Sequence, residues 1–337
     1  MRDAIQMKTF LAAVIALMLT VSVVPIRSAD TIPAELTDAA FWKMISDFSE
    51  PGGSFQLEII TSNEQSYQYV LPQLATRVKP GGVYLGVAPE QNFTYIAALQ
   101  PKIAFIFDIR RDMMVEHLMY KAVFEMSADR ADFVSNLFSR PRPAGLTADS
   151  SVDAIFRAYV NAPADSKVAE DHLKAILARL ISAHQFPMNQ ADQDRIRAIY
   201  MTFLREGVVN FSSSYASPGY AGLMTMTDLN GKNWSFLATK ENYDHVRAMH
   251  QKNLIVPVVG DFAGPRALRA VGQYLKDHGA IVSVFYISNV EDYIQSVWAS
   301  YTGNIASLPV DNSSTFIRWS PGSSTTLQSM STFVRGR

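Results

Sequence analysis

Along most of the chain, segments with apolar residues at helical spacing alternate with short runs that are apolar throughout. Leu36 to Phe48 puts Phe41, Met44, Ile45 and Phe48 on one face, which predicts a helix ended by Glu50-Pro51-Gly52-Gly53. Gln65 to Val78 repeats the pattern with Val70, Leu71, Leu74 and Val78. Val83 to Val87 then reads as a buried strand, Asn92 to Gln100 as a helix stopped by Pro101, and Ile103 to Ile109 as a second strand. Continuous apolar runs suit parallel strands covered on both faces. Asp112 to Met126 carries the clearest stripe, formed by Val115, Leu118, Met119, Ala122, Val123 and Met126.

From Ala128 to Glu206 the pattern stays helical, with breaks near Pro141, Pro143, Pro163 and Pro187, and it reads as an insertion. Leu223 to Thr227 and Trp234 to Ala238 flank Asn230-Gly231, a signal for a hairpin. Tyr243 to Lys252 is predicted helical. The strand-helix-strand order then returns: Leu254 to Val259, a helix opened by Gly264-Pro265 and stopped near Gly279, and Ile281 to Ile287. Phe316 to Trp319 is a candidate last strand, and residues 321–337 lack a pattern and read as a flexible tail. Pro257 lacks a ladder donor, so its strand is expected at a sheet edge or with a bulge. The alternation predicts one α/β domain over residues 30–320, with a mostly parallel sheet and a helical insertion at about 128–206.

Composition agrees with a packed core. Of 337 residues, 48% are hydrophobic and 18% charged. A net charge of -1 offers no general attraction for nucleic acid or anionic lipid. The absence of cysteine excludes disulfides, thiolate zinc sites and a cysteine nucleophile. At the N-terminus, Arg2 and Lys8 precede an uncharged apolar run from Phe10 to Val24, followed by Pro25 and the small pair Ser28-Ala29. That order predicts a signal peptide over residues 1–29 and a periplasmic or secreted product, touching the membrane only through this segment. An uncleaved inner-membrane anchor is the alternative.

In open α/β sheets ligands bind beyond the carboxyl ends of the strands, so the residues there are the ones to read for chemistry. Gly86 to Asn92 follows the first strand, with Glu90 and Asn92 at the next helix start. This loop holds a single glycine and does not form G-x-G-x-x-G. Asp108 ends the second strand 22 residues beyond Gly86, where a ribose-binding carboxylate belongs, and Arg110 follows. Asp261 ends the third strand and could accept from an adenine amino group; Asn289 follows the fourth. Helix capping is the alternative reading of Asp108 and of Asp261.

Two stretches, VYLGVAPEQNFTYIAALQPKIAFIFDIRRDMMVEHLMYKAVFEMSADRADFVSNLFSRP and GDFAGPRALRAVGQYLKDHGAIVSVFYISNVEDYI, resemble a family of uncharacterised bacterial proteins. Their strand-loop-acid order is similar to class I S-adenosylmethionine-dependent methyltransferases. That resemblance implies a Rossmann-like fold with S-adenosylmethionine as cofactor. It carries over Gly86 as the cofactor-loop glycine, Asp108 as the ribose carboxylate and Asp261 as the adenine contact, with Glu90, Asn92 and Arg110 beside them. The single glycine and the long helical segment depart from the methyltransferase pattern.

His117 and Tyr120 lie one turn apart and are candidates for general acid-base work, while Asn63, Glu64 and Asn289 are candidate substrate contacts. The histidines lack metal-ligand spacing, and no metal is expected. There is no G-x-S-x-G elbow, H-E-x-x-H pair or phosphate-binding G-x-x-x-x-G-K-[ST] loop. Two functions follow as expectations: an exported methyltransferase-like protein, or a non-catalytic small-ligand or protein-binding protein that reuses the fold.

Overall fold

Six strands form one sheet in the order β3-β2-β1-β4-β5-β6. They are β1 (Val83–Val87), β2 (Ile103–Asp108), β3 (Ile255–Val259), β4 (Val282–Ser288), β5 (Thr315–Arg318) and β6 (Thr326–Ser329). The first five run parallel and β6 runs antiparallel to β5. The structure, a computed structural model, describes residues 30–56, 60–210 and 219–335. The predicted signal segment lies outside them. No helix among the described residues is long and apolar enough to cross a membrane.

The chain therefore has a Rossmann-like α/β fold. Every residue of β1 and β2 is buried, as unbroken apolar runs require. β3 is an edge strand, which accommodates Pro257 opposite Ile106 without losing a central ladder bond. Helix α1 (Asp38–Phe48) is capped by the Thr37 hydroxyl and buries Phe41, Met44 and Ile45. Helix α2 (Leu71–Arg77) is shorter than its apolar pattern, because residues 65–70 form turns. α3 (Gln91–Leu99) and α4 (Arg111–Met126) follow β1 and β2. Phe105 of β2 meets Phe48 of α1 on one side of the sheet. On the other, Phe93 of α3 meets Phe124 of α4 at 5.4 Å.

Between β2 and β3 the chain is helical for longer than predicted. α5 (Arg130–Phe138), α6 (Val152–Val160), α7 (Ser166–Ala178) and α8 (Gln190–Asn210, bent at Gly207) are followed by α9 (Gly219–Thr225) and α10 (Lys240–Gln251). The predicted hairpin is absent: its first arm belongs to α9 and its second contains no strand. A turn does form at Asn230-Gly231, but Asp228 makes it by accepting from the amides of Asn230 and Lys232. α11 (Ala267–Asp277) connects β3 to β4, and α12 (Trp298–Ala306) connects β4 to β5. α11 starts two residues after Pro265, with Glu50 accepting from the amides of Arg266 and Ala267 in place of a local cap. The predicted flexible tail instead contains β6 and α13 (Met330–Arg335).

A partly buried ionic chain ties these layers together. Lys121 of α4 contacts Glu125 at 2.6 Å, Glu125 contacts His184 at 2.7 Å, and His184 contacts Asp38 of α1 at 2.8 Å. With a carboxylate on each ring nitrogen, the His184 imidazolium is favoured, and the Glu125 bond pushes its pKa above the usual 6.5. Protonation is therefore coupled to folding. This stability is fully present below pH 6.5 and is lost as pH rises through the raised value. Replacing His184 by alanine is expected to cost about 2 kcal/mol at pH 6 and clearly less at pH 9, measured by urea unfolding. An equal loss at both pH values would contradict a charged His184.

Candidate functional site

β1 and β4 lie side by side, but the chain leaves them in opposite directions across the sheet. Such a switch point opens a crevice beyond the strand ends. Here both exits are conformationally unusual. Ala88 after β1 has φ 64° and Ser288 at the end of β4 has φ 51°, left-handed values that a side chain disfavours. Between them is an open pocket of about 120 Å³. Its aromatic side includes Phe55, Tyr286, Tyr293 and Trp319, and its polar side includes Asn63, Glu64, Ser288 and Asn289. The adjacent pair Asn63-Glu64 and the distant Asn289, the three predicted substrate contacts, thus line one cavity.

Glu64 is the centre of the site. It is 2% exposed and accepts from the Tyr286 hydroxyl at 2.5 Å, the Ser288 hydroxyl at 2.5 Å and the Gln91 amide at 2.9 Å. Burial raises its pKa, and the bonds from Gln91, Ser288 and Tyr286 oppose that rise by favouring the carboxylate. Gln91, the first residue of α3, also reaches the Tyr95 hydroxyl and accepts from the Ser62 hydroxyl. The Ser62 hydroxyl in turn accepts from the Glu64 amide, which closes the loop over the helix start. A carboxyl group held by three donors cannot rotate freely, so its position at the pocket wall is fixed.

The predicted cofactor residues are placed differently. A Cβ on Gly86 would lie 1.9 Å from the Asn92 side-chain oxygen, so the space above this glycine is filled. Asn92 is fully buried. Its amide donates to the carbonyls of Val87, Ala88 and Pro89, and its oxygen accepts from the Tyr84 hydroxyl. It clamps the loop and turns away from any ligand. Asp108 is gripped through both oxygens by the Arg110 side chain, at 3.0 Å each, and also accepts from the Arg110 amide. Asp261 accepts from the amide of Ala263 within its own turn. These residues stabilise strand exits rather than forming one surface.

Glu90 holds the wall from behind. One of its oxygens accepts from the Thr61 hydroxyl and the Ser62 amide, while the other is buried without a partner. Burial raises its pKa to about 7. Both oxygens of Glu116 on α4 are likewise buried and unpartnered, and its pKa is pushed well up by burial and by the Glu90 charge. His117 lies off the apolar stripe of α4, but residues 113–124 of this helix are buried on every side. Its Nε2 contacts the Ala88 carbonyl at 2.9 Å, Nδ1 has no partner, and burial lowers its pKa to about 4. Tyr120 packs at 5.3 Å against Phe93. His117 and Tyr120 therefore sit in the core, not at the pocket.

Sequence reasoning passed over Glu116, Phe55, Tyr286, Tyr293 and Trp319. Only Tyr286 left a usable signal, as a hydroxyl near the end of an apolar parallel strand. A family model described as a domain of unknown function (DUF7790) matches residues 59–333, a span that holds all six strands and Glu64. No curated protein matches the chain.

Proposed function

For this chain, which belongs to the family described as a domain of unknown function (DUF7790), we propose binding of a small molecule in the pocket at the β1/β4 switch point, outside the cytoplasm. One observation carries the reading: a buried, fully oriented carboxylate, Glu64, lines an open pocket with a largely aromatic wall. Ligand sites commonly combine an apolar wall with a few fixed polar groups. The two left-handed residues at the rim add backbone strain where function commonly stores it. The charged and apolar N-terminal segment supports export.

S-adenosylmethionine has less support. The residues that the resemblance assigns to it are engaged within the fold: Gly86 is covered by Asn92, Asp108 is held by Arg110, and Asp261 closes its own turn. They do not fit the cofactor as they stand, and the binding reading requires no methyl transfer. Isothermal titration with near-millimolar S-adenosylmethionine is expected to give no binding heat. Binding lost on Asp108→Ala would restore the methyltransferase reading.

The binding reading has its own test. In a thermal-shift screen of small polar metabolites, a ligand at a hundred times its Kd stabilises the folded chain by about 2.7 kcal/mol. Asn289→Trp, which fills the pocket mouth, is expected to abolish the shift. Ligands that stabilise this variant and the unmodified chain equally would place binding elsewhere.

A further inference from the structure

We propose that the part of the ligand recognised in this pocket is a small organic cation, an alkylammonium or quaternary ammonium group; this rests on the pocket being the ligand site. The first argument is charge. Glu64 is the acidic group in the lining, and no lysine, arginine or histidine lines the pocket among the described residues. Its hydrogen bonds come from Tyr286, Ser288 and Gln91, which are all neutral. A buried carboxylate held by neutral donors lacks a countercharge, and a cation entering the pocket supplies one.

The second argument is the state of the donors. An anionic ligand would need free N–H or O–H groups, but the hydroxyls of Tyr286 and Ser288 already point at Glu64. A phosphate or carboxylate would therefore meet the Glu64 carboxyl with these two donors already committed, and would depend on the side chains of Asn63, Asn289, Tyr293 and Trp319 instead. The third argument is the wall. Phe55, Tyr286, Tyr293 and Trp319 line the same cavity, and Phe55 and Tyr293 pack edge to face with centroids 4.9 Å apart. Aromatic faces attract cations through the ring quadrupole and do so best where water is excluded. The cavity, about 120 Å³, suits a compact headgroup rather than a whole nucleotide.

Three probes decide the matter: choline, its neutral isostere 3,3-dimethylbutan-1-ol, and inorganic phosphate, each titrated calorimetrically into the purified chain. Choline is expected to bind at least ten times more tightly than the isostere, and phosphate is expected not to bind. Glu64→Gln should remove the preference for the cation, and Trp319→Ala should weaken both organic probes. The comparison of choline with its isostere needs no variant, so it stands even if Glu64→Gln fails to fold. Equal affinity for the two organic probes, both lost in Trp319→Ala, would overturn the cation inference while leaving the pocket as the ligand site. Preferential phosphate binding would also overturn it. If no probe binds, the inference fails, and the metabolite screen with Asn289→Trp judges the pocket separately.

Discussion

At pH 8, replacing Glu116 by glutamine is expected to make the protein more stable by more than about 1 kcal/mol, since each unit by which burial raises an acid's pKa costs the fold about 1.4 kcal/mol at high pH. Glu116 is 1% exposed and neither oxygen has a partner. Burial is the main cause of its raised pKa, the Glu90 charge adds to it, and Arg110 opposes it. A raised acid pKa means that the folded chain holds its proton more tightly than the unfolded chain. Stability is then highest below the ordinary value of 4.5 and falls as pH rises above it.

Glu90 follows the same rule over a defined window, from 4.5 to about 7. Across that window it costs the fold on the order of 3 kcal/mol. Urea unfolding at pH 4, 6 and 8 measures both effects. The gain from Glu116→Gln should be small at pH 4 and full at pH 8. A loss of stability in Glu116→Gln at pH 8 would show that its carboxylate has a partner and that the assignment is wrong. Glu90 follows the lining residue Pro89 and accepts from the amide of Ser62, another lining residue, so its protonation bears on the wall that shapes the pocket.

The second large effect is expected at Gly86, where alanine should cost about 4 kcal/mol. The new Cβ would lie 1.9 Å from the Asn92 oxygen and 2.8 Å from the Tyr84 ring. Asn92 cannot yield cheaply, because three carbonyls and one hydroxyl hold it. Overpacking of about 1 to 3 kcal/mol then combines with lost hydrogen bonds of roughly 1 kcal/mol each. Gly303→Ala serves as the control. That glycine lies within α12 with open space where a Cβ would go, so alanine should stabilise by up to about 1 kcal/mol. If Gly86→Ala folds normally but binds ligand poorly, the glycine faces the ligand and its packing role is refuted.

The same glycine shows where local pattern succeeds and where it stops. Its position near the end of a buried strand was legible, and so was the strand, because a fully covered parallel strand needs an unbroken apolar run. What fills the space above it was not legible: Asn92 folds back over the strand end through contacts that no period encodes. Asp108 repeats the point. Its place at the end of β2 follows from the pattern, but Arg110 claims its oxygens. Asn230-Gly231 marks a turn correctly and the flanking structure wrongly, since turn chemistry is local and strand pairing is not. β6 lacks an apolar period and exists because β5 offers it an edge.

Local pattern was therefore enough for the alternating α/β class, the five parallel strands and the edge position open to Pro257. These depend on residue type at fixed spacing, which the chain carries in itself. The pocket belongs to another level. Glu64, Gln91 and Ser288 are brought together by strand order, and the buried state of Glu116 and His117 comes from helices packed around α4. Electrostatic environment and enclosure are properties of neighbours in space, so these features were settled only when the sheet and its helices closed around them.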